Sequence, residues 1–140
     1  MMLIDNLALN VLRILKVCNF KLLPYIFLIH ILNMMPKITY ISHSGKKNTI
    51  EVAVGLSVME GAIQNNVEGI DADCGGSMAC ATCHVYIPEK WVNKLEKIQD
   101  AELDMIDMAY EPKKNSRLSC QIIMSKELEG LEIITPLKQT

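Results

Sequence analysis

The chain of 140 residues is half hydrophobic and 21% charged, with a formal net charge of −2 and five cysteines. The average hides a contrast: residues 1–35 hold three basic side chains against Asp5, whereas residues 36–140 hold 11 Lys and Arg against 15 Asp and Glu, a net of −4. A domain this acidic is a poor partner for nucleic acid, and its length is enough to bury one core unaided.

In chain order, the first feature is the apolar run LLPYIFLIHILNMM at 22–35, 14 residues interrupted by Pro24, His30 and Asn33 and blocked upstream by Lys21. A spanning helix needs about 20 apolar residues, so the run is short for one. With one Arg, no Ser and no small-residue cleavage site, residues 1–35 make a weak targeting presequence. We read them as an extension outside the domain, with Met34 or Met35 as the working start; an anchor and a cleaved signal are the other readings. Membrane contact is expected only if this extension is real.

The domain proper is placed at 36–140. Residues 37–41 and 49–54 alternate with period two, placing Ile50, Val52 and Val54 on one face, and Ser44 and Gly45 supply a turn; the pattern predicts a β-hairpin. Ser57 and Glu60 have capping-box spacing, which predicts a short helix from Ser57 to about Asn65. Residues 84–87 and 121–124 read as short strands flanking a cysteine-rich loop, and 132–135 as a last strand stopped by Pro136. Trp91 is expected at the surface or in partial core. A second helix is predicted over 100–111. At 100° per residue Asp100, Asp104, Asp107 and Glu111 fall within about 60° of one another, with Leu103, Ile106, Ala109 and Tyr110 on the other side. Those acids repel by roughly a few tenths of a kcal/mol per close pair, and no base on the stripe offsets them. A docking role accounts for the stripe; a solvated helix face is the plainer reading.

The chemistry lies in Cys74, Cys80, Cys83 and Cys120, spaced C-x5-C-x2-C-x36-C, three of them within CGGSMACATC. Three thiols so close converge only if the chain wraps tightly, and Gly75, Gly76, Ser77, Ala79 and Ala81 permit that. A 2Fe-2S cluster explains thiols and small residues together, since thiolates hold iron while backbone N–H groups face the sulfurs. Zinc also takes four thiolates, though usually from two pairs rather than three and one. Cys80-Ala81-Thr82-Cys83-His84 reads equally as the C-x-x-C-H site of a c-type haem, and Cys80 with Cys83 as a dithiol redox pair. Neither gives Cys74 and Cys120 a role. A disulfide framework leaves one cysteine over, and Cys18 is expected to be unligated.

The segments DADCGGSMACATCHVYI at 71–87 and NSRLSCQI at 115–122 resemble the vertebrate-type 2Fe-2S ferredoxins, the adrenodoxin and putidaredoxin family. Five residues between the first two ligands favour that branch over the plant type, which has four. The resemblance covers about 36–136. It implies an α+β, β-grasp fold with a mixed sheet, packed helices and one 2Fe-2S cluster in a loop near the surface, ligated by Cys74, Cys80, Cys83 and Cys120. It further implies a one-electron carrier, not an enzyme, receiving electrons from an NAD(P)H-dependent flavoprotein ferredoxin reductase. The acceptor would be a cytochrome P-450 monooxygenase or the iron-sulfur assembly machinery. Asp104 and Asp107 align with the acidic pair the family presents to its partners, and His84 with a histidine that hydrogen-bonds the loop to the partner-facing region. Arg117, in acidic surroundings, is expected to form a structural ion pair. With no histidine ligand the potential should be low. The closing residues Leu137-Lys138-Gln139-Thr140 lack an aromatic, which puts acceptor contact through one in doubt. A monomer in a bacterial-type cytoplasm is expected, ahead of a mitochondrial or membrane-anchored one. The competing function is a regulatory or structural iron-sulfur or zinc module sensing redox state or iron.

Overall fold

Alternation sets the first strand, β1 (Lys37–Ile41): Ile38 and Tyr40 point into the core and Lys37 faces solvent. β1 pairs antiparallel with β2 (Lys47–Glu51), Lys37 opposite Glu51 and Ile41 opposite Lys47. The computed structural model describes residues 35–139, so the expectations for residues 1–34 and for Cys18 lie outside the described residues. No helix among the described residues is long and apolar enough to cross a membrane.

β2 starts two residues earlier than the alternation suggested and stops at Glu51, so Val52 and Val54 do not extend it. Val52 is buried, its N–H bonding Pro36 O at 3.0 Å, while Val54 is half-buried where the chain turns through Gly55. That turn delivers α1 (Val58–Gln64), capped reciprocally: Ser57 Oγ accepts the Glu60 N–H and Glu60 Oε2 accepts the Ser57 N–H at 2.7 Å. Gly61 lets α1 lie close against the sheet side, since a Cβ there would stand 2.5 Å from Val52 Cγ2. The Tyr40 hydroxyl donates to Val58 O at 2.6 Å and fixes the crossing.

The sheet order is β2-β1-β5-β3-β4. β5 (Leu131–Ile134) runs parallel to β1 and antiparallel to β3 (His84–Tyr86), and β4 (Ser116–Leu118) closes the far edge antiparallel to β3. This is the α+β mixed sheet of a β-grasp fold. Ile38, Val58, Val85, Leu118, Met124, Leu131 and Ile133 form its core with Tyr40 and Trp91. Trp91 is therefore a core residue, not a surface one. It sits in α2 (Glu89–Val92), with Lys94 stacked 4.4 Å from a ring centroid. Residues 121–124 form no strand of their own. A 3-10 turn at Ser119–Gln121 bends the chain, and Ile123 makes only an isolated bridge to Ser57. The last strand, β5, lies one residue earlier than predicted.

Candidate metal centre

The cysteine-rich loop leaves α1 and returns as β3, and one buried residue buckles its neck through its carbonyl and its hydroxyl. Thr82 O accepts the N–H groups of both Asp71 and Ala72 at 3.0 Å, and Thr82 Oγ1 accepts that of Asp73 at 2.9 Å. Between these anchors the backbone is left-handed at Ala72, Gly75, Gly76, Met78 and Ala81, with φ from 55° to 93°. Three of these are not glycine, and each such residue costs on the order of 1–3 kcal/mol. Alternating handedness of this kind turns successive N–H groups toward one side, which is how main chain builds an anion-facing concavity.

The four sulfurs associate in pairs. Cys74 and Cys80 are half-buried, Cys83 and Cys120 buried, and none of the four is in a disulfide. The Ala79 N–H, then the Cys80 thiol and the Ser77 hydroxyl, favour Cys74 as thiolate and bring its pKa down to about 6. Cys120 is brought down to about 7, first by the Cys83 thiol and then by Gln121, whose Nε2 donates to its Sγ at 3.2 Å. Cys83 is pushed up, first by the neighbouring Cys120 and then by burial. Cys80 Sγ lies 3.0 Å from Thr82 Oγ1.

Two thiol pairs with thiolate-stabilising donors suit a binuclear group, in which each iron takes two cysteines, better than one tetrahedral zinc. This donor set fits a 2Fe-2S cluster.

His84, next to Cys83, is fully buried: its Nε2 lies 2.7 Å from Ser116 Oγ, while Nδ1 has no partner. Burial, with Lys113 adding to it, lowers its pKa to about 4, so the ring is neutral at pH 7. Arg117 forms a two-pronged pair with Glu102, Nε to Oε1 at 2.7 Å and Nη2 to Oε2 at 3.1 Å, and donates to Glu96 O at 2.9 Å.

The acidic helix differs from its prediction. α3 spans only Asp100–Ile106, with Asp107 as its C-cap, and the chain then turns so that Glu111 lies outside it with a φ of 45°. Asp100, Asp104, Asp107 and Glu111 are all exposed, but only the first three share a helical frame. Its buried residues are Glu102 and Ile106, with Ala109 buried in the turn beyond it, whereas Leu103, expected inside, is 45% exposed. The register shifts because β4 supplies Arg117 to neutralise Glu102, whose Oε1 also accepts the Leu118 N–H at 2.9 Å.

Glu102, Thr82, Ser119 and Gln139 are the supporting residues that sequence reasoning missed. Ser119 binds Cys83 O through both N–H (2.9 Å) and Oγ (2.8 Å), coupling the two buried cysteines. Thr82, inside the motif beside Cys83, was open to notice; the others have no local signature.

A family profile described as "2Fe-2S iron-sulfur cluster binding domain" matches residues 41–125. The chain is 43% identical over 106 residues to putidaredoxin of Pseudomonas putida, covering 75% of this chain and 99% of that protein. It is 44% identical over 100 residues to a 2Fe-2S ferredoxin of Rickettsia conorii, covering 71% and 88%. Among solved structures, the covalent putidaredoxin reductase–putidaredoxin complex contains a chain similar to this one at a TM-score of 0.68 and 45% identity, covering 71% of this chain and 97% of that one.

Proposed function

This chain belongs to the 2Fe-2S ferredoxins, and from that membership we propose that residues 36–140 form a one-electron carrier whose cluster is held by Cys74 and Cys80 on one iron and Cys83 and Cys120 on the other. What supports the ligand assignment is the left-handed loop from Ala72 to Ala81 that carries three of the cysteines, together with the polar groups set against their sulfurs, Thr82 Oγ1 at Cys80 and Gln121 Nε2 at Cys120. When bound, the cluster would supply one-electron chemistry, at the low potential expected where no histidine replaces a thiolate ligand. The chain's own part is to hold, tune and present it. Ala79 N–H, Thr82 Oγ1 and Gln121 Nε2 stabilise negative charge on sulfur, and the exposed loop brings Cys74 and Cys80 near a partner's surface.

The electron donor we propose is a flavoprotein ferredoxin reductase, by likeness to the putidaredoxin partnered with its reductase in the solved complex. Asp100, Asp104, Asp107 and Glu111 would steer a basic partner patch, and exposed Leu103 and Met108 among them offer apolar surface for the encounter. Steering of this kind speeds association without lengthening the complex, as a shuttle requires, and weakens with salt. The acceptor is a cytochrome P-450 monooxygenase or the iron-sulfur assembly machinery, reached by a monomer in the cytoplasm, and the protein transforms no substrate itself. His84 and Arg117 act in support, the former joining β3 to β4 through Ser116 and the latter neutralising Glu102.

Visible absorption and low-temperature EPR before and after dithionite test the reading. The expected result is a brown protein with a rhombic signal on reduction, and bleaching in each single Cys→Ser variant at 74, 80, 83 and 120. A colourless zinc protein or a haem Soret band would refute it.

A further inference from the structure

Gln139, in the segment following β5, is 3% exposed, and its carboxamide is shared between two distant points of the main chain. Its Oε1 accepts the His84 N–H at 2.9 Å. Its Nε2 donates to His84 O at 3.1 Å and also to Gly69 O. Gly69 precedes the cysteine loop and His84 ends it, so one side chain holds both ends of the stretch that carries Cys74, Cys80 and Cys83. The same residue's main-chain carbonyl accepts the Tyr110 N–H at 3.2 Å, and Lys138 Nζ stands 4.9 Å from the Tyr110 ring centroid. The segment thus also reaches the turn just beyond α3.

A primary amide carries two donors and two acceptor lone pairs, and burying it is unfavourable unless they are used. Here it satisfies main-chain groups that β3 pairing leaves over: β3 bonds β4 along one edge but meets β5 in register only at Tyr86 opposite Ile134. His84, two residues earlier on β3, therefore lacks a strand partner on that side, and the carboxamide substitutes for one. Nothing else among the described hydrogen bonds joins Gly69 to His84.

We propose that Gln139 is a positioning residue that latches the cluster loop: by closing its two ends onto each other it limits how readily the loop opens, and so governs retention of the cluster and access of water to its sulfurs. The latch rests on the cluster assignment above, yet it fails separately. A wild-type protein without a cluster would refute that assignment, whereas a wild-type protein with one and an indifferent latch variant refutes only the latch.

The test compares holoprotein with Gln139→Leu and Gln139→Ala. Leu keeps most of the buried volume but leaves His84 N–H, His84 O and Gly69 O without their partner; Ala loses the volume as well. Both should bleach at least about tenfold faster in the presence of an iron chelator, at a temperature where the fold is intact, and both should show a positive shift in midpoint potential as water reaches the loop. Restoration of wild-type bleaching and potential by Leu would mean that packing alone matters and would overturn the proposal. If neither variant folds, hydrogen exchange on the wild-type protein decides: the His84 amide should be protected as strongly as the amides of β1. Rapid exchange at His84 would overturn the latch.

Discussion

Removal of the Glu102 carboxylate is the sharpest test of how this fold is held beside its cluster. Glu102 is 2% exposed and accepts three hydrogen bonds, from Arg117 Nε at 2.7 Å, Arg117 Nη2 at 3.1 Å and Leu118 N at 2.9 Å. Glu102→Ala strands a guanidinium whose side chain is only 12% exposed, retaining Glu96 O as an acceptor, and leaves the Leu118 N–H unpaired beside Cys120. Breaking a buried ion pair from one side costs about 3–5 kcal/mol, and the orphaned N–H is part of that loss rather than an addition to it. At roughly 4–8 °C per kcal/mol for a domain of this size, a 3 kcal/mol loss lowers the unfolding midpoint by about 12–24 °C. Circular dichroism and cluster bleaching, followed together on heating at one scan rate, read the shift. Glu102→Leu combined with Arg117→Met should recover most of it, because an apolar pair needs no neutralisation. A shift below about 4 °C for Glu102→Ala, or a double variant as unstable as the single, would refute the view that this pair is a buried and fully committed contact.

Four other perturbations have directions set by the structure. Asp104→Asn with Asp107→Asn should slow reductase-driven reduction several-fold at low ionic strength and leave the absorption spectrum unchanged; identical stopped-flow rates would remove α3 from the encounter. Thr82→Val removes the hydroxyl facing Cys80 Sγ and the acceptor for Asp73 N–H, so the midpoint potential in a dye-linked titration should fall as charge on sulfur loses a donor; a rise would contradict the role given to Thr82. Ser57→Ala should cost about 1 kcal/mol in urea midpoints through loss of the cap. The Glu60 carboxyl is held below the usual carboxylate range by the Ser57 N–H and then the Ser57 hydroxyl. Its contribution is therefore complete above the unfolded-state pKa and fades as pH falls through the lower folded value. Glu60→Gln should be less stable than the parent at neutral pH and converge with it in acid; a constant gap would refute the assignment.

The chain itself determined the local chemistry. The four-cysteine spacing, the capping box at Ser57 and Glu60, the turn at Gly45 and the alternation in β1 depend on neighbours a few residues apart, and covalent geometry transmits such patterns directly. Tertiary structure decided whatever depended on a partner far along the chain. The buried stripe of α3 includes Glu102 only because Arg117 arrives on β4, so hydropathy put Leu103 inside instead. Trp91 joins a core assembled from distant segments, and the bend at Ser119 replaces a strand because Cys83 O takes both of its donors. Gln139 meets Gly69 and His84 across 70 and 55 residues. A polar side chain carries no mark in sequence of the partner that makes its burial tolerable, since that compensation exists only once distant segments are folded together.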